Sequence, residues 1–335
     1  MFSFFSIIIP AYNVEKYISQ AITSILNQSF QDFEIIIIND GSVDKTAEII
    51  EEYAKDNEKI KIVNHVQNES QHVARMDGVA SSNGQYVMFL DADDYFTDDA
   101  LNILFDEIQK NTGYDFYEYG YIRQPSGDVV LPSLTGEDRF TSFFTRDNYP
   151  MPTMWNKVYY SEVIKKAFTS IDRVYINIAE DLYESIAISY YAKNIYILNK
   201  TIINYSIGTG ISTTYKNYKE TLDFLFYVKR SIIHIKKFIE NTNQEISLDN
   251  INYHFLSFTI YYYINSQKNT EEKMKLFLQL PEFFDTKIIM EYLFNHEESY
   301  NELRKKLNSI TFSKDYRLGS KLLCPLRKIK HFLFK

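Results

Sequence analysis

Residues 86–96 read YVMFLDADDYF, a short apolar run that ends in three carboxylates, Asp91, Asp93 and Asp94. A continuous apolar run of this length predicts a strand buried on both faces, as in a parallel sheet. Ligands of such sheets bind beyond the carboxyl ends of the strands. In an extended segment, side chains two residues apart point the same way. We therefore expect Asp91 and Asp93 to converge on one ligand while Asp94 turns aside.

Apolar and amphipathic runs alternate before this strand. Further strands are predicted at 6–10 (SIIIP), 33–40 (FEIIIIND) and 59–65 (KIKIVNH), each followed by a helical pattern. Strands that alternate with helices indicate βαβ units and a mixed, mostly parallel α/β sheet flanked by helices. Ser42 and Thr97 are predicted as N-caps of two of the helices.

The later part of the chain has weaker patterns. A hairpin is predicted around PSGD (125–128), and a helix begins at Glu180. Two separate strands are predicted at IYILN (195–199) and IINYSI (202–207). From about residue 215 onward, aromatic and aliphatic residues recur at helical spacing, which predicts a change of architecture there.

Two domains are therefore expected, a sheet-based domain at 1–215 and a helical region at 216–335. The helical region is expected to shape one side of a substrate site or a homodimer contact. Its tail, KDYRLGSKLLCPLRKIKHFLFK (314–335), carries seven Lys or Arg residues and one Asp among apolar residues. This pattern predicts a basic amphipathic segment on a membrane surface, or a basic helix docked on the acidic body of the protein.

Composition narrows the function classes. The net charge of −8 argues against general affinity for nucleic acid. The single cysteine, Cys324, cannot form an internal disulfide, and residues 1–13 lack the features of a secretory signal. No stretch reaches the roughly 18 to 20 apolar residues of a membrane-spanning helix. We therefore expect a cytoplasmic protein.

The clustered acids indicate a cation. Close carboxylates raise each other's pKa unless a cation or hydrogen-bond donors neutralise them. Mg²⁺ or Mn²⁺, held by one or two carboxylates and a substrate phosphate, fits this pattern. Tyr95 and Phe96 stand where an EF-hand requires a ligand and a Gly, which excludes a calcium loop. A strand end whose acids only cap the next helix is the alternative.

Five segments, in order and with matching spacing, resemble the family 2 glycosyltransferases of GT-A fold, of the bacterial surface-glycan type. The resemblance covers residues 1 to about 215. It implies an inverting enzyme that moves a hexose or N-acetylhexosamine from a UDP-sugar to a hydroxyl of a growing surface polysaccharide, glycolipid or glycoprotein glycan. The segments are SIIIPAYNVEKYI (6–18), IIINDGSVDKT (36–46), NESQHVARMDGVASSNGQYVMFLDADD (68–94), WNKVYY (155–160) and AED (179–181).

The resemblance also implies roles for individual residues. Asp93 would hold Mn²⁺ or Mg²⁺, Asp181 would be the catalytic base, and Asp40 would recognise uracil. Arg75 would approach the ribose or diphosphate, and Asp91 the ribose. The other expected contacts are Pro10, Ala11, Tyr12 and Glu15 with the nucleoside, Ala92 with the donor, and Trp155 and Glu180 with the acceptor.

Two positions depart from the family, which usually has Gly at Glu69 and Asn at Met76. Two other function classes remain open. One is a non-catalytic nucleotide-sugar-binding or scaffolding module, which would be free to lose Asp91, Asp93 and Asp181. The other is a metal-dependent nucleotidyltransferase, which usually has a Gly-rich loop with Lys that this sequence lacks.

Overall fold

The computed structural model describes residues 3–132, 138–145, 149–207 and 218–260, together with residues 276, 279–285, 288, 289 and 292. The chain divides into two compact units. The first comprises Met1–Thr214 and Ile233–Gln244, and the second comprises Tyr215–Ile232 and Glu245–Lys335. The tail at 314–335 lies outside the described residues.

The described strands are β1 (Phe5–Ala11), β2 (Phe33–Asn39), β3 (Ile60–Asn64), β4 (Tyr86–Phe89), β5 (Tyr95–Phe96), β6 (Phe116–Gln124), β7 (Val129–Val130), β8 (Lys157–Tyr160) and β9 (Ile195–Ser206). The described helices are α1 (Ile18–Leu26), α2 (Thr46–Ala54), α3 (Gln71–Ser81), α4 (Ala100–Lys110), α5 (Arg139–Ser142), α6 (Ser161–Ser170), α7 (Glu180–Tyr191), α8 (Tyr218–Asn241) and α9 (Asp249–Phe258).

One mixed sheet organises the first unit, with strand order β3-β2-β1-β4-β8-β6-β9-β5 and β7 beside β6. The strands β3, β2, β1 and β4 are mutually parallel, whereas β8 pairs antiparallel with β4 and β6. All residues of β2 and β4 are buried, as their apolar runs predict. The carboxyl ends of β1, β2 and β4 therefore meet at one edge, where the polar segments follow.

Close packing of α3 on β1 depends on a glycine. A Cβ atom on Gly78 would lie 2.3 Å from Cγ2 of Ile8, well inside van der Waals contact. The helix can therefore approach the strand only because this position has no side chain.

The predicted hairpin is confirmed, since β6 and β7 pair antiparallel with Ile122 opposite Val129. The prediction of two strands after α7 is wrong, because 195–206 forms the single strand β9. The parallel register with β6 shifts around Gly120, so that Leu198 pairs with Tyr119 and Thr201 pairs with Gly120. The two polar residues between the runs lie at an irregularity in the pairing of β9 with β6 and do not form a turn.

Both predicted N-caps are wrong because tertiary contacts occupy the hydroxyls. Ser42 Oγ accepts from the Asn13 amide at 3.1 Å, and Asp44 instead accepts from the Thr46 amide at the start of α2. Thr97 Oγ1 lies 3.2 Å from the carbonyl oxygen of Ile202 in β9, to which it donates, and α4 begins only at Ala100.

In the second unit, α9 and the residues of α8 before Ile233 show the helical character predicted for the C-terminal region. Lys229 Nζ donates to the Glu282 carbonyl at 2.8 Å. Among the described residues of the chain, no helix combines the length and apolar content needed to cross a membrane.

Candidate functional site

The acids after β4 lie in a turn. The Asp94 amide donates to the Asp91 carbonyl at 2.9 Å, so the extended geometry expected for this segment is wrong. Strand β9 anchors the turn, because the Ser206 amide donates to Asp94 Oδ1 and Ser206 Oγ donates to the Asp93 carbonyl, both at 2.7 Å. Asp91 and Asp93 stay partly exposed, while Ala92 and Asp94 are buried.

Asp94 is 1% exposed, and its Oδ2 atom has no hydrogen-bond partner within the described part of the chain. Burial, together with the negative charge of Asp91, raises the pKa of Asp94 to about 9. Burial also raises the pKa of Asp91, to about 7, although the Arg75 guanidinium opposes this shift. The two groups therefore differ: Asp94 carries a proton at neutral pH and Asp91 is close to its titration point.

Arg75 joins the strand-end acids to α7. Its guanidinium is 1% exposed, and NH1 donates to Asp181 Oδ1 and, at 2.9 Å, to Glu184 Oε2. Its NH2 lies 3.6 Å from Asp91 Oδ1. Asp91 and Asp181, which are distant in sequence, therefore lie next to the same cation.

The start of α7 is strongly acidic. Ala179 precedes it with φ of 60°, in the left-handed region, and Glu180 and Asp181 occupy its first turn. Burial raises the pKa of Asp181, and the charge of Arg75 opposes this effect. Burial, followed by the charge of Asp181, raises the pKa of Glu180 to about 8. Asp181 therefore keeps a cation partner that favours its ionised form.

Asp40 lies at the end of β2, and both of its oxygens accept from the protein. His65 Nδ1 is 2.6 Å from Oδ1, the Glu69 amide donates to Oδ1 at 2.8 Å, and the Ser70 amide donates to Oδ2 at 3.0 Å. A carboxylate offers about four lone-pair sites, so one remains for a further donor. The Asp40 amide donates to the Ala11 carbonyl at 2.9 Å, which holds the ends of β1 and β2 together.

The expected nucleoside contacts share this edge. Tyr12 is 43% exposed, whereas Pro10 is half-buried and Ala11 is buried. Glu15 Oε2 accepts from the Lys45 amide at 3.0 Å, which ties the loop after β1 to the loop after β2. The structure therefore brings these four residues to the same sheet edge as Asp40.

Trp155 is the centre of an aromatic stack. Its ring is 6% exposed, lies parallel to Tyr205 at 4.9 Å and meets the edge of Tyr121 at 4.8 Å. Burial, with the charge of Asp94, raises the pKa of Tyr205 to about 12. Tyr205 precedes Ser206, which binds Asp93 and Asp94, so the stack lies beside the acidic turn.

The two departures from the family pattern have different surroundings. The Glu69 amide donates to Asp40, while its carboxylate accepts from Arg173 NH2 at 2.8 Å. A side chain at this position is thus accommodated by an exposed ion pair. Met76 is half-buried on α3.

Sequence reasoning did not identify His65, His72, Glu184 or Lys157 as site residues. For His72 and Glu184 a signal existed, since each lies three residues from a predicted site residue on a predicted helix. Lys157 is buried, and burial lowers its pKa to about 7 while the charge of Glu118 opposes the shift. It donates to Asn156 Oδ1 at 2.8 Å. The position of Lys157 in a strand gave no such signal.

Asp91 and Asp93 are the partly exposed carboxylates of this turn that could hold a hard divalent cation. Among the described residues, no group of three or more His, Cys, Asp or Glu side chains is arranged to hold a metal ion by itself. Mg²⁺ and Mn²⁺ sites often use only one or two carboxylates and take their remaining oxygens from phosphates and water. Asp93, with Asp91 beside it, offers such a pair.

Comparison with known proteins places this geometry in context. Residues 6–168 match the sequence model of glycosyl transferase family 2. The uncharacterized glycosyltransferase EpsJ of Bacillus subtilis (strain 168) is 39% identical over 121 residues, which are 36% of this chain and 35% of EpsJ. The putative teichuronic acid biosynthesis glycosyltransferase TuaG of the same organism is 34% identical over 120 residues, which are 36% of this chain and 48% of TuaG. The chain therefore spans about a third to a half of these relatives.

Solved structures share the fold. The crystal structure of S. aureus TarS 1–349 superimposes with a TM-score of 0.59 at 20% identity, covering 82% of this chain and 80% of that one. TarS 1–349 in complex with UDP-GlcNAc gives a TM-score of 0.56 at 21% identity, with the same coverage. This likeness confirms the fold class predicted from the sequence.

Proposed function

Since residues 6–168 belong to glycosyl transferase family 2, we propose that the protein is an inverting glycosyltransferase that moves a hexose or N-acetylhexosamine from a UDP-sugar to a hydroxyl group of a growing glycan. The observation that carries this proposal is that Arg75 NH1 contacts Asp181 while Arg75 NH2 lies 3.6 Å from Asp91. A strand-end acid on the donor side and a helix-start acid suited to be a base thereby flank one point.

The choice of donor has two supports. TarS, which shares the fold, has been solved with UDP-GlcNAc. In this chain, Asp40 retains a lone-pair site at the sheet edge, where it would accept the imide N–H of uracil, and Tyr12 is exposed beside it. Pro10, Ala11 and Glu15 would complete the nucleoside side, and Ala92 the donor side.

Asp93 is the proposed ligand of Mn²⁺ or Mg²⁺. Such an ion, when bound, would offset the negative charge that develops on the diphosphate leaving group. Asp93 suits this position because its carboxylate is partly exposed while its backbone carbonyl is fixed by Ser206. Asp91 would lie close to the ribose.

Asp181 is the proposed general base. The oxygen of the acceptor hydroxyl forms a bond to the anomeric carbon while the bond from that carbon to the UDP oxygen breaks. The hydroxyl proton passes to Asp181, and UDP leaves with the bonding electron pair. Burial raises the pKa of Asp181, which strengthens it as a base, and the charge of Arg75 opposes this shift and favours the ionised form.

On the acceptor side, we propose a surface polysaccharide, glycolipid or glycoprotein glycan. TuaG, a relative over about a third of this chain, is described as a putative teichuronic acid biosynthesis enzyme. Trp155 and Glu180 would border the acceptor. The basic tail at 314–335 would bring the enzyme to the cytoplasmic face of the membrane, and the helical region would support a homodimer.

The test is Asp181→Asn, assayed by UDP release from a panel of UDP-sugars with Mn²⁺ and an acceptor mixture. We expect kcat to fall at least about 100-fold while the affinity for UDP stays near the wild-type value, because Asn has nearly the shape of Asp but cannot accept the proton. Asp106→Asn, at an exposed acid on α4, is the matched control and should keep full activity. Wild-type turnover in Asp181→Asn would remove this residue as the base.

Measurements of UDP-sugar binding and of pyrophosphate release separate the other function classes. A non-catalytic module would bind UDP-sugars without releasing UDP. A nucleotidyltransferase would release pyrophosphate from a nucleoside triphosphate and a sugar phosphate. Either result would replace the proposed function.

A further inference from the structure

Two pairs of charged side chains face each other between α3 and α7. His72 and Arg75 are three residues apart on α3, and Asp181 and Glu184 are three residues apart on α7, so each pair lies along one helix face. Glu184 contacts both bases, His72 Nδ1 at 2.8 Å and Arg75 NH1 at 2.9 Å. Arg75 NH1 in turn contacts both acids. These four residues are called the charge ladder.

Each ring nitrogen of His72 faces an oxygen atom of the protein. Its Nε2 lies 2.9 Å from the backbone carbonyl oxygen of Asp172, which can only accept, so Nε2 must carry a proton. Its Nδ1 faces Oε1 of Glu184, and the other oxygen of this carboxylate, Oε2, is paired with Arg75. A neutral imidazole has only one donor, so His72 can donate to both oxygens only as the imidazolium.

The ladder is buried except at one end. His72 and Glu184 are 0% exposed and Arg75 is 1% exposed, whereas the Asp181 side chain is 27% exposed. Buried ion pairs are often no more stabilising than apolar residues of similar volume, because desolvation offsets the attraction between the charges. A gain in stability therefore does not account for this arrangement. The contacts instead connect the buried residues between α3 and α7 with Asp181, the partly exposed acid at the site.

We propose that His72 and Glu184 are positioning residues, which hold Arg75 so that it fixes the orientation and the charge of Asp181 beside Asp91. This inference rests on the proposed role of Asp181 as base. In this arrangement, Glu184 accepts one hydrogen bond from Arg75, and the contact with His72 balances the charge of Glu184. Arg75 is then shared between the two acids of α7 and does not pair fully with either.

The charged groups around Asp181 set the sign of the expected effects. Those that act on it directly are Arg75 on α3, Glu184 and Glu180 on α7, Asp91 after β4 and Lys157 on β8, while His72 on α3 acts through Glu184. The charge of Glu184 raises the pKa of Asp181, while the charges of Arg75 and Lys157 lower it. Changing Glu184 or His72 therefore perturbs the base in opposite directions.

Glu184→Gln removes the competing anion and leaves Arg75 to pair with Asp181 alone. The acid limb of the kcat/KM profile should move to lower pH, by about one pH unit. His72→Gln leaves Glu184 without its second cation, so Arg75 is drawn toward Glu184, and the acid limb should move to higher pH by a similar amount. If His72 and Glu184 had only a structural role, both variants would have lower rates, and their acid limbs would not move in opposite directions.

The matched control is Glu34→Gln on β2. Glu34 is also a buried carboxylate, and its Oε1 accepts from Ser6 Oγ and the Asn83 amide, both at 2.6 Å, at the opposite end of the strands. This variant should lose stability but keep the wild-type pH profile. Unshifted limbs in both Glu184→Gln and His72→Gln, with folded proteins, would overturn the proposal.

A second measurement does not need catalysis. ¹⁵N NMR of the wild-type protein, labelled in histidine, should show both ring nitrogens of His72 protonated at neutral pH, and Glu184→Gln should remove one of these protons. A singly protonated His72 in the wild type would overturn the ladder whatever the activity. A doubly protonated His72 in a protein that releases no UDP from any donor would leave the ladder standing and contradict the proposed function alone.

Discussion

Replacement of Asp94 by Asn probes the electrostatics of the turn after β4 without any substrate. Asn has nearly the same shape as a protonated Asp, its Oδ1 can still accept from the Ser206 amide, and it has no proton to lose. The variant therefore keeps the anchor to β9 and removes only the titration of this residue.

The sign of the effect follows from the raised pKa. Folding raises the pKa of Asp94 from 3.8 to about 9, so between these values the folded state holds a proton that the unfolded state has released. The stability of the wild type therefore falls as pH rises through this window, by about 1.4 kcal/mol per pH unit for this group. Asp94→Asn is free of this loss. Between pH 5 and pH 8, its advantage over the wild type should grow by at most about 4 kcal/mol.

The assay is urea unfolding at four pH values between 5 and 8, in the presence of a chelator. Trp155 is the only tryptophan of the chain and lies beside the turn, so its fluorescence follows unfolding of the first unit. Asp98→Asn, at an exposed acid in the same segment, should give a curve parallel to that of the wild type. A parallel curve for Asp94→Asn as well would refute the reasoning, because it would mean that Asp94 is ionised in the folded protein.

Two other changes have defined outcomes. UDP release should be abolished by a chelator or by Asp93→Asn. Added Mn²⁺ or Mg²⁺ should restore the activity of the chelated wild type but not that of the variant. Activity that persists without metal would contradict the role of Asp93. Gly78→Ala should lower the free energy of unfolding by about 1–3 kcal/mol, because its Cβ would collide with Ile8. The better helix propensity of Ala should offset about 1 kcal/mol of this loss. Ser81→Ala on the same helix is its control, and equal stability of the two variants in urea unfolding would show that α3 can move away from β1.

The parallel half of the sheet could be predicted because the relevant signals are local. β2 and β4 are buried on both faces, and their uninterrupted apolar runs state this directly. The polar segments after β1, β2 and β4 could likewise be assigned to one edge, because parallel strands with helical crossovers must end on the same side. Asp40, Asp91 and Asp93 were identified in this way.

The errors concern residues whose partners are distant in sequence. Thr97 reads as a cap, yet its hydroxyl bonds to the carbonyl of Ile202, more than a hundred residues later. The sequence predicts only that Asp94 turns aside, whereas the structure buries it against the Ser206 amide in β9. β9 itself was split in two because the irregularity opposite Gly120 cannot be seen from one strand alone.

Arg75 shows how far spacing can lead once helix pairing is known. An isolated Arg on a predicted helix is more often exposed, and the family resemblance assigns it to the ribose or diphosphate. The structure buries it between Asp181 and Glu184, with His72 one turn away, and the expected contact with the donor stays a prediction. Two bases three residues apart on one helix and two acids three residues apart on another already indicate such a pairing. What the sequence lacks is the crossing of α3 and α7, which depends on the fold of the whole first unit. The site is therefore encoded in two parts: strand-end acids that a local pattern reveals, and buried partners that become apparent only when the helices are packed.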